Sequence, residues 1–248
     1  MKVAGCLALL YGLDTVELAI QSILPYIDTL YVLAALSPSH GHASDAPALE
    51  HIADLYDACK RAAGDKLHWY ADHWEHEGKQ RDTVYTLAPD ADYIVTVDAD
   101  EIYPDGLVPD MLAYAMNNPP VRNYRVPFVH AYRNWYQAVL HDPAYPIRMV
   151  APRVASGEDT VQTDKRVFHV GYAQSQKIIA GKLAFHGHRN EFRRDCDWFQ
   201  DIYLNEQRTT DLHPVGSDYW NVEAIDPKKY LPKFALGHKW MKEKRLIP

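Results

Sequence analysis

Three carboxylates stand together at one point of this chain, in the run Tyr93-Ile94-Val95-Thr96-Val97-Asp98-Ala99-Asp100-Glu101. The residues before them are mostly apolar and β-branched, so a buried strand is expected to deliver the acids to its own carboxyl end. Carboxylate oxygens are hard donors suited to Mg2+ or Mn2+, and such a cation can neutralise a diphosphate. Acids also favour helix N-termini, and a helix is expected to start near Gly106. Three acids crowded behind an apolar strand exceed what a cap requires. Asp98 and Asp100 are therefore candidate metal ligands.

A second concentration holds His169-Val170-Gly171-Tyr172, then Lys177 and Lys182, then His186-Gly187-His188. Imidazole joined to carboxylate suits Mn2+. His169 ends a short β-like run just before Gly171, which permits close backbone approach, so it is the leading histidine ligand, followed by His188 and His186. A zinc site made of these three histidines lacks a clear fourth ligand. Lys177 and Lys182 do not share one helix face. Either can serve a leaving diphosphate, as can Arg148 and Arg153, because ammonium and guanidinium groups both bind phosphate oxygens. Solvated surface charge is the competing reading for each.

The elements that must position these groups alternate in type. Residues 2–10 form a continuous apolar run, expected as a strand, and Asp14 with Glu17 spells a capping box for the helix that reaches Pro25. Strands are expected at Thr29–Ala35, 66–70 and 92–97, with helices at 47–63 and 78–87. That order predicts a parallel sheet with crossover helices, whose ligands sit at the carboxyl ends of the strands. Tyr11-Gly12-Leu13 after the first strand is neither a dinucleotide fingerprint nor a phosphate loop. Beyond Asp110 the pattern shifts to a helix reaching about residue 117, short β-like pieces at 124–130, 145–150 and 167–170, a helix at 175–183, and a tail rich in Asp, Trp and Pro.

Composition narrows the class. With 248 residues, 47% hydrophobic and 24% charged, the chain can bury its own core without staples. No apolar run approaches the roughly 20 residues that span a bilayer. A net charge of −7 supplies no large basic footprint for nucleic acid. Cys6, Cys59 and Cys196 are scattered and odd in number, which fits neither a disulfide framework nor a zinc site and points to the cytoplasm. The 17 Tyr and 6 Trp either stack on sugars and bases or fill cores.

The segment YIVTVDADEI, behind that alternation of strands and helices, resembles the DxD segment of nucleotide-sugar glycosyltransferases of the GT-A fold, particularly glycosyltransferase family 2 and its bacterial and phage relatives. The likeness covers residues 1–110 in pattern and order. Gly78-Lys79-Gln80-Arg81-Asp82 falls where that family often shows an Arg-Asn pair, and the His-Gly-Tyr…Lys…His segment at 169–188 resembles one near the C-terminus of several members. The chain departs from the family in carrying Tyr11-Gly12-Leu13 where Arg-Asn-Glu is common, and in lacking an Asp after the second strand, before Ser37.

The resemblance implies an α/β fold: a GT-A-like, mostly parallel Rossmann-type sheet flanked by helices, with an elaborated C-terminal acceptor region. One domain would span residues 1–248, with 1–110 as the nucleotide-sugar-binding half and 111–248 as the acceptor-binding half and C-terminal lid. It implies metal-dependent transfer of a sugar from a UDP- or GDP-sugar to a hydroxyl acceptor: a glycan, a lipid-linked sugar or a modified nucleobase in phage-type DNA. Asp98, Asp100, His169 and His188 would hold Mn2+ or Mg2+. Tyr11, Ser37, Asp72, Lys79, Arg81, Asp98, Lys177 and Lys182 would hold the donor, with Asp72 replacing the missing acid. Glu158 or Asp159 would be the catalytic base, with Asp142 a further candidate, and Tyr132, Trp135, Tyr136 and Trp198 would wall the acceptor. Two other functions fit the same residues. One is a metal-dependent phosphoester hydrolase; the other is a non-catalytic nucleotide- or sugar-binding module in which the acids cap a helix.

Overall fold

The computed structural model describes residues 1–38, 48–118, 121–154, 163–185, 189–215 and 220–248. Four parallel strands open the chain: β1 (Val3–Leu9), β2 (Thr29–Ala35), β3 (Leu67–Asp72) and β4 (Tyr93–Asp98). The crossovers between them contain α1 (Val16–Ile23), α2 (Ile52–Ala63) and α3 (Glu77–Leu87). The central strands are apolar throughout because both faces are covered. Leu7, Leu9, Val32 and Val97 pack under Ile20, Ile23 and Leu55 of α1 and α2. The alternate residues Cys6, Leu33 and Ile94 pack under Val84 of α3 and under Ala88 just beyond it.

Among the described residues, seven further strands complete two sheets: β5 (Glu101–Ile102), β6 (Asn123–Arg125), β7 (Phe128–Tyr132), β8 (Asn134–Val139), β9 (Ile147–Val150), β10 (Val167–Tyr172) and β11 (Glu223–Ala224). Helix α4 (Leu107–Asn117) follows β5, and α5 (Gln176–Leu183) follows β10. The first sheet runs β3-β2-β1-β4-β9-β6 and the second β11-β8-β7-β10-β5. In the first, β9 is antiparallel to β4 and to β6, so the sheet is mostly rather than wholly parallel. The chain leaves the first sheet at Asp98 and joins the second at Glu101. The acid cluster thus lies on the step between the sheets. Among the described residues, no helix is long and apolar enough to cross a membrane.

Two local expectations differ from the structure. Asp14 does not cap α1; the Thr15 and Val16 N–H groups donate instead to Gly12 O at 2.9 and 2.7 Å, and Asp14 pairs with Lys239. Gly12 has φ +123, and a Cβ there would stand 2.6 Å from Ala99 Cβ, so the β1 turn reaches the acid loop only because it is glycine. The aromatic-rich segment at 132–136 is a tight hairpin between β7 and β8, turning at Arg133 with φ 63. Tyr132, Trp135 and Trp198 are consequently buried in packed clusters, and the expected acceptor wall does not form from them. Tyr136 donates its hydroxyl to Met241 O. The Arg133 guanidinium, itself buried, donates to the carbonyls of Ile202, Tyr203 and Arg208, fixing the π-helical stretch Trp198–Tyr203 against the hairpin.

Candidate active site at the step between the sheets

A cleft of about 220 Å3 opens at the carboxyl ends of β1, β2 and β4. It is lined by Leu9, Leu10 and Tyr11 from the end of β1, Ala35 from β2 and Arg81 from α3. Asp98, Asp100, His169, Tyr172 and Lys182 complete the lining. The parallel-sheet argument expects a ligand in this crevice. Gln80, which carries no motif in the sequence, stitches its rim: its Nε2 donates to Leu33 O at 2.5 Å and to Leu9 O at 3.4 Å, tying the ends of β1 and β2 to α3.

Asp98 lies between two guanidinium groups. Arg81 Nη2 donates to Oδ1 at 2.6 Å and Arg148 Nη2 to Oδ2 at 3.0 Å, while Arg81 also holds Glu77 and Arg148 chelates Glu101. Burial alone would raise the Asp98 pKa, but the two adjacent positive charges outweigh it and hold the carboxyl well below the usual range. Burial, followed by the Asp98 charge, pushes Glu101 upward against the pull of Arg148. Arg148 is thus the centre of a buried ion cluster, the role the structure gives it in place of an exposed phosphate contact.

Asp100 is differently placed. It is 8% exposed, yet its polar neighbours are all distant: Lys182 Nζ and Gln174 Nε2 at 3.4 Å from Oδ2, and His169 Nε2 at 3.6 Å from Oδ1. Its hydrogen bonds from Lys182 and Gln174 are therefore long and weak. The space beside it is kept open by Gly171: a Cβ there would stand 2.6 Å from His169 Nε2 and 3.3 Å from Asp100 Oδ2. Gly171 lies where the β10–β7 register shifts between His169 and Tyr172, so an irregularity in the strand aims these groups. Burial pushes the His169 pKa down to about 3, against the opposing pull of Asp100, which keeps the imidazole neutral and able to ligate.

These residues suit a divalent cation. Mg2+ and Mn2+ commonly take one or two protein ligands and complete their shells with water and phosphate oxygens. Two ligands about 2.1 Å from such an ion lie roughly 3.0–3.4 Å apart at ordinary coordination angles, close to the Asp100–His169 separation. Among the described residues, no group of three or more His, Cys, Asp or Glu side chains is arranged to hold a metal. Asp100 and His169 are the two described side chains that could hold such an ion, since Asp98 is occupied by its arginines.

The other expected residues divide. Tyr11 lines the cleft, and Lys182 Nζ lies 5.5 Å from its ring centroid and 5.3 Å from that of Tyr172 while donating to Gly171 O at 3.0 Å. Arg81 lines it as expected. Ser37 bonds His73 Nδ1 at 2.9 Å, and Asp72 is exposed at the end of β3, where its Oδ1 accepts from the His73 N–H. Lys79 and Lys177 are exposed, and neither lines the cleft. Arg153 pairs with Asp92. Glu158, Asp159, His186 and His188 lie outside the described residues. Asp142, a candidate base, instead contacts His130. Sequence reasoning missed Gln80, Gln174, Glu77 and His130; only the position of Gln80 and Glu77 beside Arg81 on one helix offered a signal.

No protein-family model matches this sequence, and no curated protein matches it. Among solved structures, the chain is similar to one described as a mycobacterial protein, at 20% identity and TM-score 0.37, over 54% of this chain and 41% of that one. It is similar to glucosyl-3-phosphoglycerate synthase from Mycobacterium tuberculosis in complex with phosphoglyceric acid, at 20% identity and TM-score 0.35, over 53% and 44%. It is also similar to S. aureus TarS 1-349, at 13% identity and TM-score 0.35, over 53% and 36%. The chain therefore spans less than half the length of each.

Proposed function

We propose that this chain is a GT-A-like glycosyltransferase that binds the diphosphate of a nucleotide sugar in the cleft and transfers the sugar to a hydroxyl acceptor. The observation that carries this reading is Asp100 facing His169 across the space that Gly171 leaves, with Lys182 beside it at the carboxyl ends of parallel strands. A Mn2+ or Mg2+ ion held by Asp100 and His169 would supply positive charge to the departing diphosphate. Lys182 adds a fixed ammonium at the same point. Arg81 and Arg148 keep Asp98 ionised. Tyr11, which lines the cleft, offers a ring to the nucleoside. Residues 1–110 then supply most of the donor cleft, joined by His169, Tyr172 and Lys182, and the rest of 111–248 serves the acceptor.

Transfer with inversion requires a carboxylate that removes the acceptor proton; Glu158 or Asp159 is assigned that part. The test is a thermal-shift series with UDP and GDP, each with and without Mn2+, followed by transfer assays with the sugar nucleotides. Stabilisation by a nucleoside diphosphate that depends on Mn2+ supports the reading. Stabilisation by Mn2+ alone favours a phosphoester hydrolase, and no response to either defeats both.

A further inference from the structure

We propose that Asp142 and His130 are positioning residues that fix the tautomer of His169, so that its Nε2 lone pair faces Asp100. The inference rests on the cation reading of the cleft. His130 on β7 and His169 on β10 are register partners in parallel strands, which places their side chains on one face. Their Nδ1 atoms are 2.8 Å apart. At that distance one nitrogen carries the hydrogen and the other a lone pair.

Asp142 decides which. Its Oδ2 lies 3.1 Å from His130 Nε2, with the N–H off the direct line, and the same carboxylate accepts from the Ala144 N–H at 2.7 Å and from the Trp220 side chain. A carboxylate that only accepts requires N–H at His130 Nε2. With that one hydrogen on its ring, His130 presents Nδ1 as the acceptor, and His169 donates from its own Nδ1. That leaves His169 Nε2 as a lone pair 3.6 Å from Asp100 Oδ1. Two acceptors facing each other at this distance call for a cation between them. Aromatic neighbours hold the orientation: Phe128 stands 5.4 Å from both imidazoles, and Trp220 5.4 Å from His130, measured between ring centroids. A ligand histidine whose other nitrogen is fixed by a hydrogen-bonded partner binds metal about 10- to 100-fold better than one without it.

The test uses the metal-free chain labelled with 15N-histidine. Two-bond 1H–15N correlation spectra identify the tautomer, with the His169 signals assigned from His169→Asn. The expected result is the Nδ1–H tautomer at His169, and its loss in His130→Phe, which keeps a ring in place but removes the acceptor. Calorimetric titration with Mn2+ alone should show about 10- to 100-fold weaker binding in His130→Phe. An Nε2–H tautomer in the wild-type chain overturns the proposal, as does a His130→Phe variant with unchanged tautomer and unchanged Mn2+ affinity. The wild-type spectrum decides the tautomer even if the variant fails to fold. An Nδ1–H tautomer in a chain that binds no Mn2+ upholds the tautomer assignment and refutes the cation reading separately.

Discussion

Replacing Gly171 by alanine tests the cleft with the smallest available change. Gly171 does not lie at positive φ, so alanine can adopt its backbone conformation and the effect is confined to the added methyl group. That carbon would fall on His169 Cε1, and 2.6 Å from Nε2 and 3.3 Å from Asp100 Oδ2. Carbon atoms in contact normally keep about 3.5–4.0 Å, so the imidazole has to retreat by roughly 1 Å. The overpacking should cost about 1–3 kcal/mol of stability, read as a melting midpoint lowered by roughly 2–4 °C per kcal/mol in a chain of this size. Displacing one of two protein ligands should weaken Mn2+ binding at least about tenfold, or roughly 1.4 kcal/mol. The assay is calorimetric titration of Mn2+ into Gly171→Ala, with Gly237→Ala as control, since nothing lies within 4 Å of a Cβ at that position. Wild-type Mn2+ affinity in a folded Gly171→Ala chain would refute the assignment of the cation to this space.

Arg148→Met should remove about 3–5 kcal/mol of stability in urea denaturation, because it leaves Glu101 and one oxygen of Asp98 buried without their partner; adding Glu101→Gln should restore part of the loss. Asp100→Ala should abolish the Mn2+-dependent thermal shift with nucleoside diphosphate while leaving the melting midpoint near that of the wild type. Lys182→Met should weaken binding of UDP or GDP, measured by calorimetry, about tenfold, the scale of one charge-assisted contact. Stability should also depend on pH through His169. Its folded pKa of about 3 lies below the ordinary 6.5, so below pH 6.5 the unfolded chain takes a proton that the folded chain refuses. Stability should therefore fall as pH drops from 6.5 toward 3, with this group adding at most about 1.4 kcal/mol per pH unit. His169→Asn should flatten that slope.

The first half of the fold was legible because its signals are local. Continuous apolar runs at β1, β2 and β4 reflect cover on both faces, and the amphipathic spacing of α2 survives in sequence. The acid cluster was legible for the same reason: charge directly after a buried strand marks the point where the chain leaves the core for a polar crevice. The second sheet was legible only in pieces: the β-like runs at 124–130 and 167–170 fall on β7 and β10, but their pairing did not show. Its strands pair across long separations, β10 with β7 and β11 with β8, and its hairpin turns at Arg133, a residue that gives no turn signal. The aromatic run at 132–136 therefore passed for a surface when it is core. In the site, Asp100, His169 and Lys182 were visible as residue types. The arginines on Asp98 and the Asp142–His130–His169 chain were not, since each contact joins residues from separate strands or helices.

The step between the sheets bears on how this site can change over time. Asp98 is registered against Ala8 in one backbone ladder and Glu101 against His169 in the other, while Val170 N–H donates to Asp100 O at 2.8 Å. The spacing of the chemical groups is thus set by main-chain pairing, which any side chain of suitable size leaves intact. Donors can be exchanged one at a time without rebuilding the scaffold, so a single codon change such as His169→Asp would turn a mixed nitrogen–oxygen pair into an all-oxygen one and shift its preference toward Mg2+. An insertion between 98 and 101 would instead shift the acids relative to both ladders. Lineages of this chain should therefore vary the donors along the step while keeping its length fixed.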